Sequence, residues 1–203
     1  MKVLDLFCGR GGWTKPFLQE YKDECWGIDI QDLSYPGRFF QKNIHEVDGH
    51  EFPDMDLIIG SPPCTEFSVA KEFGKYGKGQ KRDLEKGLNL VADFYRFVEE
   101  AQPKFWAMEN VRNLEQWWPS SQVIWHFKIS KGGRRTLWGN LPITSLAYDF
   151  HWKRDIWKMY RNPADRAEIP YPIAQHVAQW AHYAVSRLNS RASGNHVKPS
   201  LID

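Results

Sequence analysis

One cysteine in this chain stands in a context that could support covalent chemistry. Cys64 follows an apolar run at residues 55–59, which indicates a buried parallel strand. Gly60 and two prolines end that strand and stiffen the turn that presents the cysteine. Ligands bind at the carboxyl ends of strands in open α/β sheets, so this turn is a candidate position for a nucleophile. A free cysteine is more often a small buried hydrophobe, and the turn by itself leaves both interpretations open.

A glycine-rich turn near the start of the chain could hold a nucleotide-like ligand. It belongs to a βαβ unit that consists of a strand at residues 2–7, Gly9, Gly11 and Gly12, a helix at 14–21, a strand at 25–30 and the acid Asp29. The glycines would let the backbone approach the ligand, and the acid would bind a pair of ribose hydroxyls. Thr14 stands where a dinucleotide site needs a further glycine. The turn is more similar to the S-adenosylmethionine loop of class I methyltransferases, with a purely structural turn as the alternative.

Composition is that of an ordinary globular domain. The chain has 203 residues, of which 42% are hydrophobic and 26% charged, which is enough for one domain with a proper core. The net charge of +2 is too small to indicate nucleic acid by itself. Three cysteines without a Cys-x-x-Cys pair indicate neither a disulfide framework nor a zinc site, and we expect no metal. No apolar run is long enough to cross a membrane and no signal peptide precedes the first strand, so we expect a cytoplasmic protein without a membrane partner.

The rest of the chain supplies the elements that must position these residues. We predict a helix over residues 38–43, an amphipathic helix over 84–101, a strand over 104–108 that ends at Glu109, a hairpin of residues 123–129 and 135–138, and a last helix over 173–188. Alternating strands and helices of this kind indicate an α/β fold. We expect a single domain over residues 1–189, followed by a polar, flexible tail at 190–203.

Five blocks of the sequence resemble the DNA cytosine-5 methyltransferase family in their order and spacing. They are residues 5–13, 27–30, 61–68, 108–114 and 134–142, and the last is especially similar to the corresponding segment of the mammalian de novo DNA methyltransferases. Pro-Pro-Cys at one strand end, followed by Glu-Asn-Val at the next, is the most specific part. The resemblance spans roughly residues 2–142 and the last helix. It implies a class I S-adenosylmethionine-dependent methyltransferase fold, Rossmann-like, with a mostly parallel sheet and a C-terminal antiparallel hairpin.

The resemblance also implies a mechanism for methylation of cytosine C5 in DNA. Cys64 would add to C6 of the base as a thiolate, which makes C5 nucleophilic toward the methyl group of S-adenosylmethionine. The thiolate would need a pKa lowered by nearby positive charge or backbone donors. Glu109 would bind the N3 side of the ring, protonated during addition, and Arg135 would orient the carbonyl and the nucleophile. The alternative for Glu109 is a surface carboxylate that ends a strand, and an isolated basic residue such as Arg135 would more often be only a solvated charge. A duplex substrate, which we favour over single-stranded DNA, must have its target base flipped out of the stack.

The cofactor implied by the resemblance is S-adenosyl-L-methionine. Trp13 would stack on its adenine, Asp29 would bind its ribose, and Asn43 stands where an acid usually meets the adenine amine. The full set of expected cofactor residues is Asp5, Phe7, Gly9, Gly11, Gly12, Trp13, Asp29, Ile30, Asn43, Ser61 and Pro62.

Basic residues give the expected contacts with DNA. Residues 69–86 carry many lysines and glycines, and they are either a solvated face or a mobile lid that closes on phosphates. The expected nucleic-acid contacts are Ser68, Lys71, Lys75, Lys78, Lys81, Arg82, Arg134, Lys153 and Arg154.

Four departures from the family pattern stand out, and the last of them bears on specificity. Thr65 replaces a glutamine next to the nucleophile, Gly133 replaces the first of two paired arginines, and the last helix lacks the usual Gly-Asn start. The target-recognition segment must fit into about residues 143–168. We therefore predict short or relaxed sequence specificity, or help from a partner subunit or a second copy of the chain.

Two other functions remain open at this point. The same chemistry could act on RNA, single-stranded DNA or a free cytosine nucleotide. The chain could also be a catalytically silent DNA-binding regulator, although the presence of Cys64, Glu109 and Arg135 together argues against that. The compact size would suit a bacterial or phage-infected cell.

Overall fold

A seven-stranded sheet carries the candidate site. The computed structural model describes residues 1–68, 81–118, 120–128, 133–143 and 168–193. Its strands are β1 (Lys2–Leu6), β2 (Glu24–Asp29), β3 (Arg38–Gln41), β4 (Leu57–Gly60), β5 (Phe105–Val111), β6 (Val123–Lys128) and β7 (Arg134–Gly139). They lie in the order β3-β2-β1-β4-β5-β7-β6, parallel from β3 to β5 and antiparallel at β7 and β6. The predicted fold class, with its C-terminal antiparallel hairpin, is confirmed.

Two long helices cover opposite faces of the sheet. They are α1 (Leu84–Ala101) and α2 (Tyr171–Ala192), and the shorter helical segments are a π-helix at Phe17–Tyr21 and 3₁₀ turns at Ile44–Glu46, Gly49–Glu51, Arg112–Gln116 and Ser120–Gln122. Successive strand residues point to opposite faces, so Leu4 packs with the α1 side and Val3 with the α2 side. Nothing in the described helices is both long and apolar enough to pass through a bilayer.

The helix predicted over residues 84–101 is confirmed. Asp83 caps it, because its side chain accepts the backbone N–H of Lys86 at 3.1 Å. Phe94 and Phe97 on its apolar face are fully buried against the sheet. The last helix, α2, is longer than predicted and ends at Ala192 rather than residue 188.

The helix predicted over residues 38–43 is wrong. Residues 38–41 form β3, an edge strand that pairs in parallel with β2, with Arg38 opposite Trp26. Aromatic residues favour strands, and the Arg38 guanidinium lies 5.5 Å from the centre of the Trp26 ring. Pairing with β2 therefore decides the structure of a segment too short to form a stable helix alone.

The strand that carries Glu109 continues beyond its predicted end. β5 extends to Val111 because β7 pairs with it, with Glu109 opposite Leu137 and Val111 opposite Arg135. Glu109 therefore lies inside a sheet rather than at a free strand end. The predicted basic lid falls largely, and the target-recognition segment almost wholly, outside the described residues.

Candidate active site

The turn that carries Cys64 is fixed from two directions. The carbonyl oxygen of Cys64 accepts the backbone N–H groups of Phe67 and Ser68, each at 3.1 Å. The buried Asn110 amide donates to the carbonyl oxygen of Pro62 at 2.9 Å. The first contacts close the turn and the second ties it to β5, so the position of the thiol depends on the neighbouring strand.

The pKa of the Cys64 thiol is raised, not lowered, in the structure. Burial raises the pKa of Cys64; the positive charge of Arg135 lowers it and the carboxyl of Glu109 raises it. The sequence expectation of a lowered pKa is therefore wrong for the chain without its ligands. The balance depends on Glu109, because a protonated carboxyl would leave only the favourable charge of Arg135 beside the thiol.

Glu109 and Arg135 form a buried pair beside the cysteine. Arg135 Nε lies 2.8 Å from Glu109 Oε1, with side chains only 17% and 7% exposed. The geometry of the contact is that of an ion pair and not of a hydrogen bond. Glu109 Oε1 accepts no hydrogen bond of good geometry from the described residues. Burial raises the pKa of Glu109, opposed by Arg135 and by a hydrogen bond from Ser61. The pair thus combines a carboxyl of raised pKa with a neighbouring guanidinium.

The pairing of β5 and β7 explains how these two side chains meet. Glu109 is opposite Leu137, and Arg135 lies two residues before Leu137 on the same strand. Side chains two residues apart share a face of the sheet, so Arg135 is the diagonal neighbour of Glu109.

A cleft of about 560 Å³ runs from Cys64 to the end of β2. We call it the glycine-loop cleft; its walls are the turn after β1, the ends of β2 and β4, part of α1 and residues 168–169. Asp29 lies at its far end, where its two carboxylate oxygens accept the N–H groups of Gly9 at 3.0 Å and Gln31 at 2.9 Å. Each oxygen keeps a further lone pair for a ligand.

Most of the expected cofactor residues line this cleft. The eight that do are Phe7, Gly9, Gly12, Trp13, Asp29, Ile30, Asn43 and Ser61. Trp13 is nearly buried, and its indole N–H donates to Ser61 Oγ at 2.9 Å. Asn43 already uses its side-chain oxygen to cap the following 3₁₀ turn by accepting the His45 N–H.

Three expected cofactor residues do not line the cleft. Gly11, at φ 73°, makes the tight turn beside Pro36, where a Cβ atom would lie 2.7 Å from the proline ring. Pro62 is buried behind Cys64, and its carbonyl oxygen accepts the Asn110 amide. Asp5 lies beneath the glycine-rich turn and is only 1% exposed.

Asp5 is a buried acid of unusual character. Neither of its carboxyl oxygens has a hydrogen-bond partner in the described part of the chain. Burial, with the negative charge of Asp29, raises its pKa well above the ordinary value. Asp5 is therefore a buried acid with a raised pKa beneath the site rather than a contact of the cleft.

The sequence prediction missed two walls of the glycine-loop cleft. Lys86 and Leu90 of α1 form one, and Glu168 and Ile169 form the other. Glu168 forms an ion pair with Lys15 and so ties the segment before α2 to the glycine-rich turn. No local pattern links residues so far apart in sequence, so only the tertiary structure identifies these walls.

A second cleft of about 680 Å³ is lined by Arg135 and shares no lining residue with the glycine-loop cleft. We call it the arginine cleft; it is formed by residues 67–68, the end of β5 with the 3₁₀ turn Arg112–Gln116, and the start of β7. Two expected nucleic-acid residues, Ser68 and Arg134, line it. Lys81 and Arg82 lie in the chain before α1. The others, Lys71, Lys75, Lys78, Lys153 and Arg154, lie outside the described residues.

One surface group in the described ranges has the spacing of a metal site. Ligand atoms of Asp48, His50 and Glu100 lie within 4.8 Å of one another. Glu100 already accepts the Gly49 N–H and pairs with Arg96, and neither cleft includes these residues. The group is an exposed charge network, separate from the candidate site.

Comparisons with known proteins identify the family of the chain. The sequence model of the C-5 cytosine-specific DNA methylase family matches residues 1–117. Type II methyltransferase M.HgiGI of Herpetosiphon aurantiacus is 35% identical over 123 residues, 55% of this chain and 90% of that protein. M.NgoFVII of Neisseria gonorrhoeae is 34% identical over 125 residues, 56% of this chain and 31% of that protein.

Other relatives are longer than the matched region. M.FnuDI of Fusobacterium nucleatum is 29% identical over 128 residues, 56% of this chain and 33% of that protein, so the chain spans about a third of the length of such relatives. A solved structure of a putative DNA modification methyltransferase from an E. coli prophage is 20% identical, with a TM-score of 0.49 over 68% of this chain and 46% of that one. The family match covers more than half of the sequence, and the chain therefore belongs to the C-5 cytosine-specific DNA methylase family.

Proposed function

We propose that this chain is a DNA (cytosine-5-)-methyltransferase that uses S-adenosyl-L-methionine and acts on a cytosine flipped out of duplex DNA. One observation carries the proposal: the cleft that contains the glycine-rich turn and Asp29 reaches Cys64, beside the buried pair of Glu109 and Arg135. A ligand site and a candidate nucleophile thus share one space, as methyl transfer to a covalently held base requires.

The residues of the glycine-loop cleft fit S-adenosylmethionine. When bound, this cofactor supplies an electrophilic methyl group. Asp29 offers oxygen acceptors for ribose hydroxyls, and the turn at Gly9 and Gly12 lets the backbone approach the ligand. A Cβ atom at Gly12 would lie 2.9 Å from Glu168 Cγ, which supports the need for glycine in this wall. Phe7, Ile30 and Trp13 give the cleft apolar surface for an adenine ring.

The chemistry proposed for the chain's own residues is covalent and acid-assisted. The Cys64 sulfur forms a bond to C6 of cytosine, while protonated Glu109 donates toward N3, where negative charge develops. Arg135 stays charged and orients the base and the thiolate. Once C5 carries the methyl group, its proton leaves to a base, the bond between sulfur and C6 breaks, and the thiolate is restored.

Glu109 and Cys64 share one proton in this proposal. Transfer of the thiol proton to Glu109 creates the nucleophile and the acid in one step. It also removes the negative charge that raises the pKa of Cys64, while the Arg135 charge remains. Ionisation of one group therefore disfavours ionisation of the other. The pKa values seen in a titration would describe the pair and not either residue alone.

Trapping with 5-fluorocytosine tests the proposal. Fluorine cannot leave C5 as a proton does, so a working enzyme stalls as a covalent adduct with the oligonucleotide after methyl transfer. We expect an adduct on Cys64 with a duplex carrying this base, none with Cys64→Ser, and a normal adduct with Cys25→Ala, which changes a buried cysteine outside the cleft.

A single-stranded oligonucleotide in the same assay reports strand preference. An adduct only with single strands would correct the substrate to single-stranded DNA. Tight S-adenosylmethionine binding without an adduct on either DNA would contradict the proposal and favour RNA, a free nucleotide or a silent regulator.

A further inference from the structure

The arginine cleft gives the proposed enzyme a second contact with its substrate. We infer that this cleft binds a phosphodiester of the strand that carries the target cytosine, with Arg112 and Arg134 as its phosphate ligands. The inference rests on the proposed function, because it assigns the backbone of the same substrate whose base reaches Cys64.

The position of the cleft supports this assignment. Arg135 lines the arginine cleft and also lies 2.8 Å from Glu109, so the cleft begins where the candidate catalytic pair ends. Its opposite wall is the turn at Phe67 and Ser68, whose N–H groups bond to the carbonyl oxygen of Cys64. A base held at Cys64 and its flanking backbone could therefore occupy adjoining spaces.

Charge in the cleft favours a phosphate. Three arginines line it, whereas its described acid, Glu115, is engaged inside the protein. The Glu115 carboxylate accepts the Thr136 hydroxyl and contacts His126 Nε2 at 2.8 Å. Arg112 Nε lies 3.8 Å from Glu115 Oε2, a loose contact, and half of the Arg112 side chain is exposed. Its guanidinium can therefore turn toward an anion in the cleft.

The two proposed ligands lie on elements that are tied together. Arg112 belongs to the 3₁₀ turn after β5, and Arg134 begins β7. Glu115 of that turn binds Thr136 of β7, and Asn113 donates to the carbonyl oxygen of Phe67 at 3.2 Å. The walls of the cleft are thus held in place before a ligand arrives, which reduces the ordering cost of binding.

Guanidinium groups in this arrangement match phosphate chemistry. Their planar N–H forks bind phosphate oxygens in pairs, and they stay charged at any physiological pH. Phosphate contacts fix the register of a protein on its strand but read no bases. The cleft would therefore hold the target strand in place without adding sequence specificity.

Salt dependence of DNA binding tests the inference. The probe is a duplex oligonucleotide of mixed sequence, titrated at several NaCl concentrations with S-adenosylhomocysteine present. We expect Arg112→Ala and Arg134→Ala each to reduce the slope of log K against log [NaCl] by about 0.9, with cofactor affinity unchanged. Arg112→Lys and Arg134→Lys keep the charge and should keep the slope.

The control is Arg191→Ala, which removes an exposed arginine from the last turn of α2. It should leave the slope unchanged, and the lysine variants guard against misfolding as the cause of any loss. If the wild type forms its adduct but both alanine variants keep the wild-type slope, the cleft inference is wrong and the proposed function stands. A wild-type protein that forms no adduct and binds no DNA would overturn both.

Discussion

The two clefts share no lining residue, and they are built from different halves of the sheet. The glycine-loop cleft lies at the carboxyl ends of the parallel strands, and backbone turns after β1 and β4 form part of its walls. The arginine cleft borders the antiparallel pair of β5 and β7, and it offers long charged side chains rather than enclosing loops. We propose that the parallel half holds the cofactor and that the antiparallel half holds the backbone of the substrate.

We expect the largest loss of activity from Glu109→Gln. Glutamine keeps the shape of the side chain but cannot supply a proton, so we expect kcat to fall about 10²- to 10³-fold with little change in KM for S-adenosylmethionine. Because the pKa of Glu109 is raised, the wild-type kcat should decline as rising pH removes its proton, and the variant should lack that limb. Steady-state rates across pH measure both; a variant within a few-fold of wild type would show that Glu109 is not the acid.

Asp29→Asn tests the other cleft. The amide replaces one of the two oxygens that accept backbone N–H groups and that we propose bind the ribose, so we expect roughly tenfold weaker S-adenosylmethionine binding by calorimetry. Asp32→Asn is the matched control, since Asp32 also accepts a backbone N–H, from Ser34 at 2.9 Å, but does not line the cleft. Equal affinities for the two variants would remove Asp29 from the cofactor site.

Asn110→Ala removes a hydrogen bond that holds the turn carrying Cys64. Loss of its side chain leaves the buried carbonyl of Pro62 without a donor, and we expect a loss of about 2 kcal/mol in the free energy of unfolding. Urea denaturation measures it. Asn113→Ala removes a comparable bond to Phe67 at a more exposed position and should cost less. A larger loss at Asn113 would reverse our view of which contact holds the Cys64 turn.

Asp5→Asn gives a smaller, pH-dependent effect beneath the glycine-loop cleft. The pKa of Asp5 is raised on folding, so over a range above about pH 4 the native protein holds a proton that the unfolded chain releases. Wild-type stability should therefore fall with rising pH, by at most about 1.4 kcal/mol per pH unit from this group. Asparagine mimics the neutral acid and should flatten that dependence. Parallel curves for both proteins would mean that Asp5 is ionised in the fold.

Local patterns in the sequence predicted much of this architecture. The apolar spacing of residues 84–101 specified α1, and the turn chemistry around Cys64 specified a strand end. The helix predicted over residues 38–43 was wrong because pairing with β2, and not local preference, determines that residues 38–41 form β3. The lowered pKa expected for Cys64 was wrong for a similar reason. Burial raises that pKa, and burial depends on the whole fold.

The cleft walls show the same limit. Glu168 and Ile169 reach the glycine-rich turn from the far end of the chain. In the sequence, Arg112 has no feature that distinguishes it from an ordinary surface charge. The 3₁₀ turn and β7 place it in the same cleft as Arg134. Contacts of this kind are properties of the topology, and no short window of sequence contains them.

The ion pair between Lys15 and Glu168 has a consequence for how the protein can change. It anchors the far end of residues 144–167, and buried Ile143 anchors the near end just after β7. Glu109 and Arg135 are positioned by strands that precede this interval. A replacement of different length could therefore be grafted between the two anchors without displacing either side chain. If this interval contains the target-recognition segment, as we propose, DNA preference could change there while Glu109 and Arg135 keep their positions.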